Sequence, residues 1–225
     1  MLDLPIISAF GTAAVMTLGL ALTALVFGFV LALVFCAGEM NKHRWVSMPF
    51  TLLVMIIRGV PEILVVMFVY FGSTQLLFII TDEFIDVSPF WSGVAALALL
   101  FAGYASQTLR AAINAVAEDQ WAACKALGLP PLYSFFRVIL PQAWRYALPG
   151  LGNQWMVLLK DTALVSLIGV TELMKQADLT SATTYEPFTY YALAAMIYLL
   201  ITIVSQRLMG LMRRRAAHYD QAVEA

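Results

Sequence analysis

The sequence predicts an all-α integral membrane protein built as a single domain, and three observations carry that expectation. Of the 225 residues, 62% are hydrophobic, against roughly 45–50% in soluble globular domains, so lipid must solvate much of the surface. Charge is absent over long intervals. Between Asp3 and Glu39 lie 35 uncharged residues, between Glu62 and Asp82 19, between Asp86 and Arg110 23, and between Glu186 and Arg207 20. About 20 apolar residues suffice to cross a bilayer as a helix. Finally, Lys and Arg gather in alternate loops, which orients the spans.

Five transmembrane helices are expected, at about 9–37, 62–80, 88–110, 148–170 and 188–210. The fourth is the least clean, because Lys160 and Asp161 interrupt it. Lys42 and Arg44 follow the first span; Arg110, Lys125, Arg137 and Arg145 lie between the third and fourth; Arg213, Arg214 and Arg215 close the last. The opposite loops carry Asp82, Glu83, Asp86, Glu172, Asp178 and Glu186, with Lys175 their only base. The N-terminus is therefore expected outside and the C-terminus in the cytoplasm. A cleaved signal peptide is not expected, because no basic region precedes the first apolar run and that run is too long.

Within the first span, Ala24, Gly28 and Ala32 recur every four residues, a small-residue stripe that lets helices approach closely in lipid. Residues 46–57 are apolar but few. A helix from 46 to 80 would be about 52 Å long, and Pro61 disfavours helix at Val60. A break is expected near Gly59–Pro61, with 46–57 lying at the interface or half inserted.

The polar loop at about 117–145 reads as helix, turn, helix. Asp119 suits an N-cap, followed by Trp121, Ala122, Ala123, Lys125, Ala126 and Leu127. Gly128 suits the left-handed position after a helix end, and Pro130-Pro131 bar continuation. A second short helix is expected over Leu132–Leu140, ending near Pro141. Small residues on a short exposed helix permit insertion into a partner's groove; a plain amphipathic connector on the membrane would show the same pattern.

Charge inside a span is the second signal. It costs roughly 2.5–3.5 kcal/mol at a helix centre on insertion scales. Asp161 lies about midway along the fourth span, where it either attracts the cationic end of a substrate or serves assembly through an internal pair. Lys160 points about 100° away and need not be its partner. Thr162 and Ser166 are weaker path candidates. Glu62, beside the break, either lines the path or pairs with Arg58 four residues earlier. Asn153, with Gln154 and Trp155, either touches substrate or anchors a helix end. Tyr104, Ser106 and Gln107 are expected to make hydrogen bonds between helices.

Covalent chemistry is not expected. No Gly-Lys dipeptide occurs, so there is no phosphate-binding loop of the G-x-x-x-x-G-K kind. His43 and His218 have no partner at metal-ligand or catalytic spacing, and neither G-x-S-x-G nor H-E-x-x-H is present. No catalytic residue, metal or cofactor is assigned to this chain. Cys36 and Cys124 stand in no motif and read as reduced thiols. A net charge of −1 gives no indication of a nucleic-acid partner.

Ala122-Ala-Cys124, Gly128 and Leu140-Pro141 resemble the E-A-A…G…L-P loop of ABC importer permeases, although Ala122 stands where that motif has Glu. Arg58-Gly-Val-Pro-Glu62, Tyr104-Ala-Ser-Gln-Thr-Leu-Arg110, Leu140-Pro-Gln142 and Lys160-Asp-Thr-Ala-Leu-Val-Ser166 extend the likeness over nearly the whole chain, to the polar amino acid permease family. The resemblance implies a type I importer in a bacterial inner membrane. In it Trp121, Ala122, Ala123, Leu127, Gly128 and Pro141 would meet an ATPase. Its partners would be two ATPase subunits that bind the ATP, a second permease subunit (identical or homologous) and a periplasmic amino-acid-binding protein. It implies alternating access for arginine or another basic amino acid; histidine or glutamine, or a channel or assembly role, are the alternatives.

Overall fold

The structure is a computed structural model. It describes residues 3–83 and 87–221, with side chains as far as Arg213; Asp86 and the side chains of Arg214, Arg215 and His218 fall outside the described residues. All regular structure among the described residues is helical: α1 (Leu4–Glu39), α2 (Arg44–Gly59), α3 (Glu62–Thr81), α4 (Pro89–Asn114), α5 (Glu118–Ala126), α6 (Pro131–Ser134), α7 (Leu140–Asp161), α8 (Leu173–Thr184) and α9 (Pro187–Gln221). A π turn, Phe135–Ile139, joins α6 to α7, and a 3-10 segment, Thr162–Ile168, follows α7.

The core forms where α1 crosses α4, the most extensive helix contact in the chain. The small-residue stripe makes it possible. Ala24, Gly28 and Ala32 are all buried, and a Cβ on Gly28 would lie 2.9 Å from both the Ala98 carbonyl oxygen and the Phe101 ring. Leu20, Leu97, Phe101, Leu158 and Val165 pack around this crossing.

The expected break is present. Val60 is extended and Pro61 follows it in the polyproline region, so α2 and α3 are separate helices. At 16 residues α2 is about 24 Å long, short of the roughly 30 Å hydrocarbon core. Trp45, Met48, Leu52, Met55 and Ile56 face outward while Val54 and Ile57 are buried.

Among the described residues four helices are long and apolar enough to cross a membrane: Leu4–Glu39, Glu62–Thr81, Pro89–Asn114 and Pro187–Arg213. The helix expected at 148–170 is built differently. The second loop helix does not stop near Pro141 but runs through the π turn into α7. In that turn the Leu140 N–H donates to the Phe135 carbonyl five residues back. The ladder is thus already shifted where Pro141 lacks a donor, and the proline costs less than it would inside a regular helix. Nor does α7 continue to 170. It ends at Asp161, the 3-10 segment takes over, and Gly169 (φ 97°) closes it. Asp161 therefore stands at a change of helix rather than midway along one.

A further correction is α8, for which no helix was expected. It lacks a long apolar run, with Lys175, Gln176, Asp178 and four Ser or Thr residues in 12. Its formation depends on Glu172, whose carboxyl accepts the Lys175 N–H at 2.9 Å as an N-cap. Leu173 and Ala177 then pack against Phe10, Ala13 and Tyr190.

Candidate functional site

Two groups of polar side chains lie among the spans. The first joins α3, α4 and the end of α7. The Tyr104 hydroxyl donates to Glu62 Oε1 at 3.3 Å, and the Arg58 guanidinium sits 5.4 Å from the Tyr104 ring centroid. Asp161 is half-buried and close enough to Glu62 for the two charges to act on each other, with Lys160 opposing from the neighbouring position. Two acids 99 positions apart in sequence are thereby within electrostatic reach of each other. The Arg58–Glu62 ion pair left open by the sequence is absent among the described residues. The extended Val60–Pro61 link between α2 and α3 removes the helical geometry that an i, i+4 pair requires.

In the second group Thr162 and Glu172 are fully buried and Tyr198 half-buried. Thr162 is buried, its hydroxyl donating to the Leu159 carbonyl at 2.7 Å and lying 3.3 Å from the Tyr198 hydroxyl. Tyr198 in turn lies 2.6 Å from Glu172 Oε2. The Leu173 N–H donates to Thr17 Oγ1 at 3.2 Å, which ties α8 to α1. Burial pushes the Glu172 carboxyl up from its ordinary range, opposed by the Tyr198 hydroxyl and the N–H groups that begin α8. Ser166 is half-buried and donates within its own turn to Ala163 at 2.6 Å. Asn153 is exposed, Gln154 half-buried and Trp155 buried. The acids Glu62 and Asp161 thus act on each other electrostatically, Thr162 belongs to a separate network, and Ser166 and Asn153 join neither.

A third polar contact was only half legible. Gln107 was expected to bond across helices, and it does so, but to Glu39, which the sequence reading used only as a span boundary. Ser106 instead donates to Gly103 within its own helix. The Arg110 Nη1 atom lies 3.6 Å from Glu39 Oε1.

In the polar loop α5 starts two residues earlier than expected. Ala117 occupies the N-cap position and Asp119 lies inside the first turn, with no side-chain cap bond; there an acid still favours the positive end of the helix dipole. At the other end Gly128 has φ 68°. Its N–H donates to the Lys125 carbonyl, and the Leu129 N–H to the Cys124 carbonyl, at 3.1 and 3.0 Å, the paired bonds of a Schellman ending. Trp121, Ala122, Ala123, Leu127 and Gly128 are exposed, whereas Cys124 is buried. Pro141 is exposed at the start of α7, where Gln142 Nε2 donates to Gln120 Oε1 at 3.2 Å and links α7 back to α5. A cavity of about 480 Å³ lined by Met40, Asn114, Glu118 and Trp121 opens beside α5. Another, of about 390 Å³, is walled by apolar side chains and Gly152, among them Phe29, Phe101, Trp144, Trp155 and Met209; it offers a charged solute no partner.

A bundle of membrane-length apolar helices, two acids among them that act on each other electrostatically and an exposed helix rich in small residues on a polar loop define a membrane transport subunit. The family model described as the binding-protein-dependent transport system inner membrane component matches residues 24–218, and the chain belongs to that family. It is 52% identical over 213 residues to the arginine ABC transporter permease protein ArtQ of Haemophilus influenzae, covering 95% of this chain and 96% of the relative. With the protein of the same name from Escherichia coli it shares 51% over 227 residues, covering 93% and 95%. The crystal structure of an amino acid ABC transporter with histidines superposes with a TM-score of 0.84 at 32% identity, over 92% of this chain and 94% of that one. An inward-facing MetNI methionine ABC transporter gives a TM-score of 0.78 at 15% identity, over 95% and 99%, which speaks for the fold alone. Membership makes the chain a membrane-embedded permease subunit, not itself an enzyme, that works with an ATPase and a substrate-binding protein.

Proposed function

We propose that this chain is a permease subunit of an ATP-driven importer that moves arginine, or another basic amino acid, from periplasm to cytoplasm. The observation that carries the substrate class is that Glu62 and Asp161 lie within electrostatic reach of each other. Two carboxylates held near each other inside a membrane bundle repel, and each is costly there. A guanidinium or ammonium group between them would offset both penalties and supply charge-assisted hydrogen bonds. Relatives named for arginine transport, and one named for histidine, lysine, arginine and ornithine together, support a cationic substrate. Tyr104 and Arg58 hold Glu62's side of the site; Asn153 and Ser166 stand further along the path.

The chain crosses the membrane five times, N-terminus outside and C-terminus inside, with α7 and the 3-10 segment as the fourth crossing. Helix α5 is the part that meets the ATPase, through Trp121, Ala122, Ala123, Leu127 and Gly128, with Pro141 bordering the same surface. Two ATPase subunits bind the ATP, a second permease subunit completes the path, and a periplasmic binding protein delivers the amino acid. Closure of the ATPases moves α5 and rocks the spans between two states, each favoured by different partners.

The test is Asp161→Asn, which keeps size and hydrogen bonding and removes charge. Arginine uptake and complex yield are measured in the same membranes. The expected result is full yield with recognition of arginine weaker by about 1.5–3 kcal/mol, roughly ten- to hundredfold, while the ATPase still responds to loaded binding protein. Unchanged uptake at full yield removes Asp161 from the substrate site, and low yield assigns it to assembly. Competition by unlabelled histidine and glutamine against labelled arginine checks the substrate class.

A further inference from the structure

Asp161 ends α7, and Thr162 begins a 3-10 segment of seven residues. Such segments seldom exceed three or four residues, because their hydrogen-bond geometry is poor, so this one depends on outside support. The point where the helix changes also sets where Asp161 points, since the turn per residue goes from about 100° to about 120° there. Val165, fully buried, supports the segment by packing onto Gly93, at the place a Cβ would occupy. Gly169 closes it in the left-handed region. Among the described residues, the one side-chain hydrogen bond tying the segment to another element is that between Thr162 and Tyr198.

Three contacts stand in a row: Thr162 to the Leu159 carbonyl, Thr162 to Tyr198, and Tyr198 to Glu172. The Tyr198 hydroxyl donates to Glu172 Oε2, which fixes the phenol and leaves its oxygen facing the Thr162 hydroxyl as an acceptor. Glu172 is 0% exposed, and its other oxygen accepts the Lys175 N–H.

We infer that Glu172 and Tyr198 are positioning residues for the substrate site: a buried acid and the phenol that donates to it lock Thr162, and so fix the direction of the adjacent Asp161 carboxylate. The inference rests on the proposed role of Asp161 toward a cation. Neither residue touches the substrate; both act through the 3-10 segment.

Binding of labelled L-arginine to the purified permease–ATPase complex tests this, with the melting temperature of each variant measured alongside. Tyr198→Phe removes one hydroxyl and should weaken arginine binding about three- to tenfold, the size of one hydrogen bond, in a complex that remains assembled. Glu172→Gln keeps an acceptor oxygen for the Tyr198 hydroxyl, so it should bind arginine at least as well as Tyr198→Phe. In an Asp161→Asn background Tyr198→Phe should add nothing further, because its route to the ligand has gone. If Asp161→Asn binds arginine like wild type, the reading of Asp161 fails and the inference falls with it. If Asp161→Asn weakens binding while Tyr198→Phe shifts only the melting temperature, or weakens binding equally in both backgrounds, Asp161 keeps its role and the positioning inference alone is overturned. Glu172→Gln binding arginine more weakly than Tyr198→Phe removes Glu172 from the positioning role.

Discussion

The Gln107 amide nitrogen lies 2.8 and 2.7 Å from the two carboxylate oxygens of Glu39, across the α1–α4 contact. The Glu39 side chain is only 1% exposed, and it sits in the last turn of α1, where the helix dipole disfavours an acid. Gln107 and Arg110 therefore compensate a charge that is badly placed in its own helix. Gln107→Leu should lower the stability of the purified complex by about 1–3 kcal/mol, the range for stranding a buried partner. Glu39→Gln, which needs less compensation, should cost less. Thermal unfolding in detergent measures both, and equal losses would separate Glu39 from the role assigned to Gln107.

The turn after α5 yields a prediction independent of substrate. Gly128 has φ 68°, and nothing lies within 4 Å of where a Cβ would be. Any penalty there is conformational rather than steric. Gly128→Val should destabilise the turn by roughly 1–2 kcal/mol or more, leave membrane abundance unchanged and abolish coupled uptake. Gly128→Asn, which tolerates the left-handed region, should retain most transport. Loss in both variants would point to contact by the glycine itself rather than to its backbone.

Close approach of α1 and α4 predicts the reverse pattern at Gly28, where the Cβ position already lies 2.9 Å from a backbone oxygen. Gly28→Leu should force the helices apart and reduce complex yield, an overpacking cost of about 1–3 kcal/mol. Immunoblotting of membranes reads the yield. Normal abundance would show that the crossing can relax.

Orientation is open to a direct reading. A reporter active only in the periplasm should work when fused at Ala182, on α8, and stay silent at Leu129, between α5 and α6. Activity at Leu129 would overturn the five-span arrangement.

Glu62→Gln should weaken arginine recognition in the same direction as Asp161→Asn. If the two acids share one cation, the double variant should lose less than the sum of the single losses, because contacting residues do not contribute independently. Strict additivity in uptake competition would place them on separate ligands.

Much of this protein is determined by its sequence alone. Spans free of charge over about 20 residues can be satisfied only as helices in lipid, and they recur close to the predicted bounds in α1, α3, α4 and α9. Pro61 forces the break before α3, and Gly128 requires its left-handed turn, because both are constraints local to the backbone. The Ala24–Gly28–Ala32 stripe announces a close helix contact without naming the partner; only packing identifies α4. Tertiary structure decides the rest, where local rules compete. Pro141 should stop a helix, yet the π turn before it lets α7 continue. Thr162 reads as a path residue beside Asp161, yet α8 and α9 enclose it. Glu172 reads as a loop acid until burial and the Tyr198 hydroxyl give it a place. Glu62 and Asp161 come within electrostatic reach only because α3 lies against the 3-10 segment that follows Asp161, since side chains remote in sequence become neighbours through packing, which no short-range pattern encodes.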